Sequence, residues 1–201
     1  ISHEVSRPRP GWVEMDGRIW WAEFVEIARR LHAQLAHDGQ EIDIAAVGVS
    51  GMGPCVLLAD AHDEPVRPAI LYGIDTRASE QVERMSVQLG VERIARTAGS
   101  LLSSQAAGPK IVWIADEEPD GYARARRLFM PASWLVRRLT GVYVLDHQSA
   151  SQTTPLYDIE AGRWDEELWA RYAPGLEPPA LAWAGDLAGQ VTEAAATETG
   201  I

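Results

Sequence analysis

The sequence has one cysteine, Cys55, so an intrachain disulfide cannot form and a cysteine-rich zinc or iron–sulfur site is excluded. A reducing compartment is compatible with that. No stretch approaches the about eighteen consecutive apolar residues that a membrane-spanning helix needs. Positive charge is scarce: 18 Lys and Arg stand against 29 Asp and Glu, a formal net charge of -11. That balance argues against a general nucleic-acid binder, which needs a basic face. It leaves open a small anion held locally, nucleotides included. His3, His32 and His37 have no metal-ligand spacing, and no metal site is visible. No basic region followed by an apolar segment opens the chain, so no signal peptide is visible. Starting at Ile1 and stopping at Thr199-Gly200-Ile201, the chain reads as one whose true termini were removed by processing or truncation.

What is present describes one ordinary domain. Of 201 residues, 46% are apolar and 23% charged, enough to bury a core and too ordered a composition for a disordered chain. The lead-in Val5-Ser-Arg-Pro-Arg-Pro-Gly11 is stiffened by proline and cannot be helical. Asp16 is placed as an N-cap, and Trp20, Trp21, Phe24, Ile27, Leu31 and Leu35 form one apolar stripe of a helix ending near Gly39. The tryptophan pair reads as core packing. Ile44 to Ser50 is expected to be a strand buried on both faces. Cys55–Ala59 and Pro68–Tyr72 are two more strands, joined across the polar turn Asp60–Pro65 as a hairpin whose His62 is solvated. Helices are expected at Thr76–Leu89, Val91–Thr97 and Ala107–Glu118. A strand at Arg127–Met130 and a helix at Ala132–Leu139 closed by Gly141 follow. The last third reads as looser, with Asp146–Thr154 rich in Ser, Thr and Gln and Pro174–Pro179 a proline-bearing loop. Strands alternating with helices make the chain α/β.

Three segments could carry chemistry. Gly48-Val-Ser-Gly-Met52 nearly matches a nucleophile elbow, but Met52 replaces the last glycine and Gly53-Pro54 replaces the helix that should follow; His147 is the one late histidine that could serve Ser50. Two glycines after a strand also let backbone approach a ligand closely. Tyr72-Gly-Ile-Asp-Thr-Arg77 ends a strand, where ligands sit in open α/β sheets. Asp75 and Arg77 there are candidates for binding hydroxyls, against the competing reading of an Asp–Arg pair or a helix cap. Ser103–Lys110 combines small residues, an amide and a lone ammonium ahead of an apolar helix, against the competing reading of a capped helix start. Asp146-His147 lacks a second acid at a spacing useful for acid–base work.

Taken in order, Gly11-Trp-Val-Glu14 with Trp20-Trp21, Ile44 to Gly53, Val56-Leu-Leu58 with Arg67–Tyr72, Gly108–Trp113, Pro131–Leu135 with Leu139-Thr-Gly141, Asp146 with Ser149-Ala-Ser151, and Ala184-Gly185 with Thr199-Gly200 resemble the N-terminal domain of the FGGY carbohydrate kinase family. The resemblance covers nearly the whole chain. It implies a ribonuclease H-like (actin-like ATPase) α/β domain, a mixed sheet with flanking helices. In that family two such domains flank a cleft, the first holding the sugar and the second ATP, and the γ-phosphoryl of ATP passes with Mg2+ to a hydroxyl. Residues 1–201 would then be a partial N-terminal substrate-binding domain, with the leading phosphate hairpin, the catalytic aspartate and the ATP domain outside the chain. Alone it would be inactive. The resemblance further implies a cytoplasmic protein with a sugar or polyol as partner, and neither nucleic acid nor membrane. A homodimer is one way to cover strand edges left open. Residue by residue, the resemblance assigns Met52 and Gly53 to the position just after the strand's Ser-Gly, where xylulokinases have Gln-Met-His. The usual histidine is missing. Tyr72 takes the place of a tryptophan, Asp75 and Arg77 match the Asp and Arg that follow it, and Gln105 falls where a substrate-facing tyrosine stands in glycerol kinases. Asp75, Arg77 and Gln105 are thereby hydroxyl-binding groups, with Met52 and Tyr72 an apolar wall. No aspartate here matches the catalytic base. The alternative is a kinase-derived, non-catalytic domain that binds a sugar or a partner.

Overall fold

The computed structural model describes residues 1–39 and 43–201. Its elements run β1 (Glu14–Met15), α1 (Gly17–His37), β2 (Leu57–Ala59), β3 (Ala69–Ile70), α2 (Ser79–Leu89), α3 (Val91–Ala98), α4 (Ala107–Glu117), α5 (Pro119–Arg124), β4 (Arg127–Phe129), α6 (Pro131–Thr140), β5 (Val144–Asp146), α7 (His147–Ser151), β6 (Tyr157–Asp158), β7 (Arg163–Trp164), α8 (Glu166–Tyr172), β8 (Ala180–Ala182) and α9 (Glu193–Thr199). Four short pairings result: β1 with β3, β2 with β4 and β6 with β7 are antiparallel, and β5 with β8 is parallel. Among the described residues no helix is long and apolar enough to cross a membrane.

Local signals account for the longest elements. The Asp16 carboxylate accepts the Arg18 N–H at 3.0 Å and starts α1, satisfying one of the four donors a helix start leaves free. The apolar stripe turns Trp21 and Ala28 inward, with Phe24 and Val25 packed beside Leu139 of α6 and Ala195 of α9. Gly141 adopts the left-handed conformation (φ 74°) that ends α6. The Asp60 carboxylate shapes the expected turn by accepting from the His62 and Glu64 N–H groups at 2.8 and 3.0 Å.

The centre of the core is β2. Val56 and Leu58 face one apolar cluster with Ile70, Met85, Ile111 and Ile114. Leu57 and Ala59 face a second, with Ala69, Phe129 and Trp134. A strand covered on both faces needs apolar residues at every position, which this run supplies. The hairpin to the 68–72 segment forms through isolated antiparallel bridges, Val56 with Ile70 and Ala59 with Pro65. The continuous ladder of β2 is made instead with β4.

The expectation for 44–50 is corrected. This run is not a strand, and only Val47 and Val49 are partly covered, against the Trp21–Leu139 cluster. An extended backbone becomes a strand only when a neighbour pairs its N–H and C=O groups, and no segment among the described residues does so. Ile44–Val49 instead lines one wall of a cavity of about 610 Å3, opposite α6, β5 and residues 182–191. The last third is also more ordered than expected. Helices of five to seven residues and strands of two or three complete too few periods to show in a hydrophobic pattern.

Candidate functional site

The end of β3 leads into the segment 71–77, which divides its side chains between two settings. Asp75 has no exposed surface. One of its carboxylate oxygens accepts the Val13 N–H at 2.7 Å and an Arg77 Nη2 hydrogen at 2.7 Å; the other accepts the Arg77 backbone N–H at 3.1 Å. The Arg77 side chain is likewise 0% exposed and pairs with Glu14 at 2.6 Å. Glu14 is shared with Arg67 at 2.6 Å, and Arg67 reaches Glu118 at 2.7 Å. The Arg77 guanidinium also lies 4.3 Å from the Trp12 ring centroid and 4.9 Å from that of Trp113, two rings that meet edge to face with centroids 5.0 Å apart. Buried charges survive only when paired and bonded in this way. Asp75 and Arg77 are thus engaged with one another, with Glu14 and with the Val13 N–H, the arrangement of the Asp–Arg pair that competes with the hydroxyl-binding reading. The next helix needs no carboxylate cap, since α2 begins after Ala78 without one.

The remaining candidates stand on exposed loops that converge at the start of α4. Met52 and Tyr72 are 57% and 38% exposed. The Gln105 amide oxygen accepts the Gly73 N–H at 2.6 Å, tying the loop after β3 to the loop before α4. Its amide nitrogen donates to Ser104 Oγ at 3.2 Å, and one further N–H of that amide remains for another acceptor. The Ala107 N–H donates to the Gln152 carbonyl at 3.1 Å, bringing in the end of α7. Close approach fixes the glycines here. A Cβ on Gly53 would stand 2.8 Å from Gln152 Oε1, and one on Gly108 would overlap the Thr154 carbonyl. Gln152 was not singled out in the sequence. Its side-chain amide makes no hydrogen bond among the described residues, and in the sequence it is one amide within the polar run 146–154, with nothing local to set it apart. The structure thus brings Met52, Gly53, Tyr72 and Gln105 to one rim with Gln152, and gives Asp75 and Arg77 to the scaffold beneath.

Beneath the rim lies Lys110, on a helix whose first eight residues are all buried. Its Nζ donates to the Leu71 carbonyl at 3.1 Å. Burial lowers its pKa to about 8, with Asp75 and Cys55 opposing the shift and Arg77 adding to it. The buried Cys55 thiol is pushed up, chiefly by desolvation, and its sulfur accepts the Tyr72 N–H at 3.4 Å. The other sequence candidates have structural occupations. Asp146 caps α7 by accepting the Ser149 N–H at 2.9 Å. His147 shares a 2.7 Å hydrogen bond with the Tyr157 hydroxyl and stacks against Trp183, ring centroids 4.4 Å apart. No hydrogen bond joins Ser50 to a histidine among the described residues, so the hydrolase arrangement is not assembled here. The large cavity includes none of Met52, Gly53, Tyr72 or Gln105.

The sequence profile for the FGGY family of carbohydrate kinases, N-terminal domain, matches residues 1–201. The chain is 34% identical over 200 residues to a glycerol kinase of Nocardia farcinica, covering 94% of this chain and 38% of that protein. It is 27% identical over 203 residues to a xylulose kinase of Staphylococcus xylosus, covering 100% of this chain and 41% of that protein. The chain therefore spans 38% and 41% of the length of these two curated relatives. The crystal structure of a xylulose kinase from Rhodospirillum rubrum superposes with a TM-score of 0.86 at 27% identity, over 98% of this chain and 41% of that one. The α/β ribonuclease H-like architecture expected from the sequence is the fold these comparisons show.

Proposed function

We propose that this chain, which belongs to the FGGY family of carbohydrate kinases, forms most of the sugar- or polyol-holding domain of an ATP-dependent kinase. The observation that carries the reading is the family match over all 201 residues, and the convergence of four loops on one exposed rim supports it. The polyol would lie against Met52 and Tyr72, with the Gln105 amide, the backbone at Gly53 and the Gln152 amide available to its hydroxyls. An apolar wall with a few polar groups is the usual make-up of a small-molecule site. The missing histidine after Met52 sets this rim apart from the xylulokinase pattern.

Phosphoryl transfer needs positioning, neutralisation of the phosphate charge and a base at the attacking hydroxyl. The first is what the rim supplies. Among the described residues no group of three or more His, Cys, Asp and Glu side chains stands close enough to hold a metal ion, and Mg2+ in phosphoryl transfer is held by one or two carboxylates together with the nucleotide's phosphates. Those parts belong, on this reading, to polypeptide outside the chain, and the unpaired run 44–50 beside its cavity is the edge at which the rest of the sheet would join. A cytoplasmic setting goes with this reading.

The test starts from the intact mass of the purified protein. A mass well above the 22.0 kDa of this chain should accompany ADP release with one member of a panel of three- to six-carbon polyols and ketoses. A protein that binds a panel member yet releases no ADP would replace the kinase with a binding domain. One that binds none would sink both.

A further inference from the structure

We propose that Lys110 is a positioning residue for the sugar: together with Cys55 it grips the Leu71–Tyr72 peptide from both edges and sets where Tyr72 stands against the ligand. The inference rests on reading the 52–53, 72–73 and 105 rim as the sugar face.

The Leu71 carbonyl and the Tyr72 N–H belong to one rigid peptide unit and point to opposite sides of it. Lys110 Nζ holds the first at 3.1 Å and Cys55 Sγ the second at 3.4 Å. The next N–H along, at Gly73, goes to the Gln105 side chain at 2.6 Å. Backbone pairing ends just before this point: β3 stops at Ile70, and the Leu71 N–H still reaches the Val13 carbonyl at 3.0 Å. From there until Asp75, side chains rather than a sheet ladder decide where the loop lies. Such a loop is as well placed as its pins, and a displacement of about an ångström in a group that only holds the ligand is enough to weaken binding.

Lys110 is an unusual pin. Its side chain is 0% exposed, and the Leu71 carbonyl is its one protein acceptor among the described residues. Desolvating an ammonium is costly, and space alone could be filled by an apolar side chain of similar length. The titratable and charged groups that face it are Asp75 and Arg77, from the loop after β3, and Cys55, from the segment before β2. A hydrogen bond from a charged donor is stronger than one from a neutral amine. The grip on Leu71 therefore weakens as the ammonium loses its proton above pH about 8.

The experiment uses the full-length protein that carries this chain, with glycerol and xylulose as probes and KM for the probe and for ATP measured from pH 7 to 9.5. Lys110→Met should raise the probe KM by about tenfold, the loss expected when a charged hydrogen bond is removed. It should leave kcat and the ATP KM within about twofold. It should also erase a rise in probe KM above pH 8 that the unaltered protein shows. If Lys110→Met does not fold, Cys55→Ala removes the opposite pin and should raise the probe KM a few-fold with the same selectivity. Unchanged probe KM and pH profile, or equal rises for probe and ATP, would overturn the proposal. So would a flat pH profile of the unaltered protein. Tyr72→Ala separates the two layers of the argument: if it leaves the probe KM unchanged, the rim reading has failed and this inference with it. If it raises KM while Lys110→Met does not, only the positioning role fails.

Discussion

Two groups of residues a few positions apart in the sequence, both just after the end of β3, have opposite fates. Asp75 and Arg77 are enclosed with Glu14, Arg67, Trp12 and Trp113, and every charged group there is spent on another. Tyr72 and Gly73, two to five residues earlier, stand exposed: the Tyr72 hydroxyl makes no hydrogen bond among the described residues, and the Gly73 N–H is held by a Gln105 amide that keeps one donor free. The side chains that look most reactive on paper hold the scaffold, and the quieter ones make the surface. A buried carboxylate and guanidinium are satisfied by their mutual charge, whereas the proposed rim would meet a neutral polyol with apolar area and amide groups.

The largest effect that tests this division is on stability. Asp75→Ala would leave Arg77 buried against Glu14 alone and take away the acceptor of the Val13 N–H. The expected loss is roughly 3–5 kcal/mol, from breaking a buried ion pair, read as a fall in urea midpoint and of about 10 °C in Tm. Should that variant keep its stability and lose sugar affinity instead, the division between scaffold and rim collapses. Gly108→Ala comes next. Its new Cβ would overlap the Thr154 backbone carbonyl, and overpacking of this kind costs about 1–3 kcal/mol, measurable by the same titration.

Rim substitutions should show the reverse pattern. Gln105→Ala is expected to change stability by under about 1 kcal/mol while weakening polyol binding several-fold in calorimetry; a large stability loss with unchanged binding would move Gln105 to the scaffold. A smaller signature comes from pH. Burial brings the Lys110 pKa down to about 8 from an ordinary 10.5. Between those values the unfolded chain holds a proton that the fold has given up, so this group makes unfolding free energy rise with pH across that window. The buried thiol of Cys55, raised by desolvation, acts in the opposite sense once the unfolded thiol ionises. Comparing the unaltered protein with Lys110→Met at pH 7.5 and 9.5 isolates the lysine: the unaltered protein should gain on the variant at the higher pH. Smallest of all is the exposed pair of Arg18 and Glu64, whose side chains are 55% and 61% exposed. Arg18→Ala should stay within about 0.5 kcal/mol.

The elements with long periods or strong punctuation were legible in the sequence. The stripe from Trp20 to Leu35 and the Asp16 cap defined α1, and Gly141 closed α6 where its left-handed conformation was expected. The apolar run 55–59 is the doubly covered strand that the run 44–50 was expected to be. Composition cannot separate two such runs, because a strand exists only with a partner to pair it. Met52, Gly53, Tyr72 and Gln105 were legible as site candidates through the family resemblance, and the structure places them on a common rim. Gln152 was not, since nothing local distinguishes it from other amides in a polar loop.

The sequence by itself determined the class of the chain. Its hydrophobic periods, caps and glycines follow from local geometry, and the ordered set of family segments needs no coordinates to be read. Only the tertiary structure decided which polar groups remain free. Whether Asp75 meets a ligand or Arg77, and whether Lys110 lies in water or beneath a loop, depends on what other segments bring to the same few ångströms. Desolvation and pairing are properties of that gathered environment and not of any one residue.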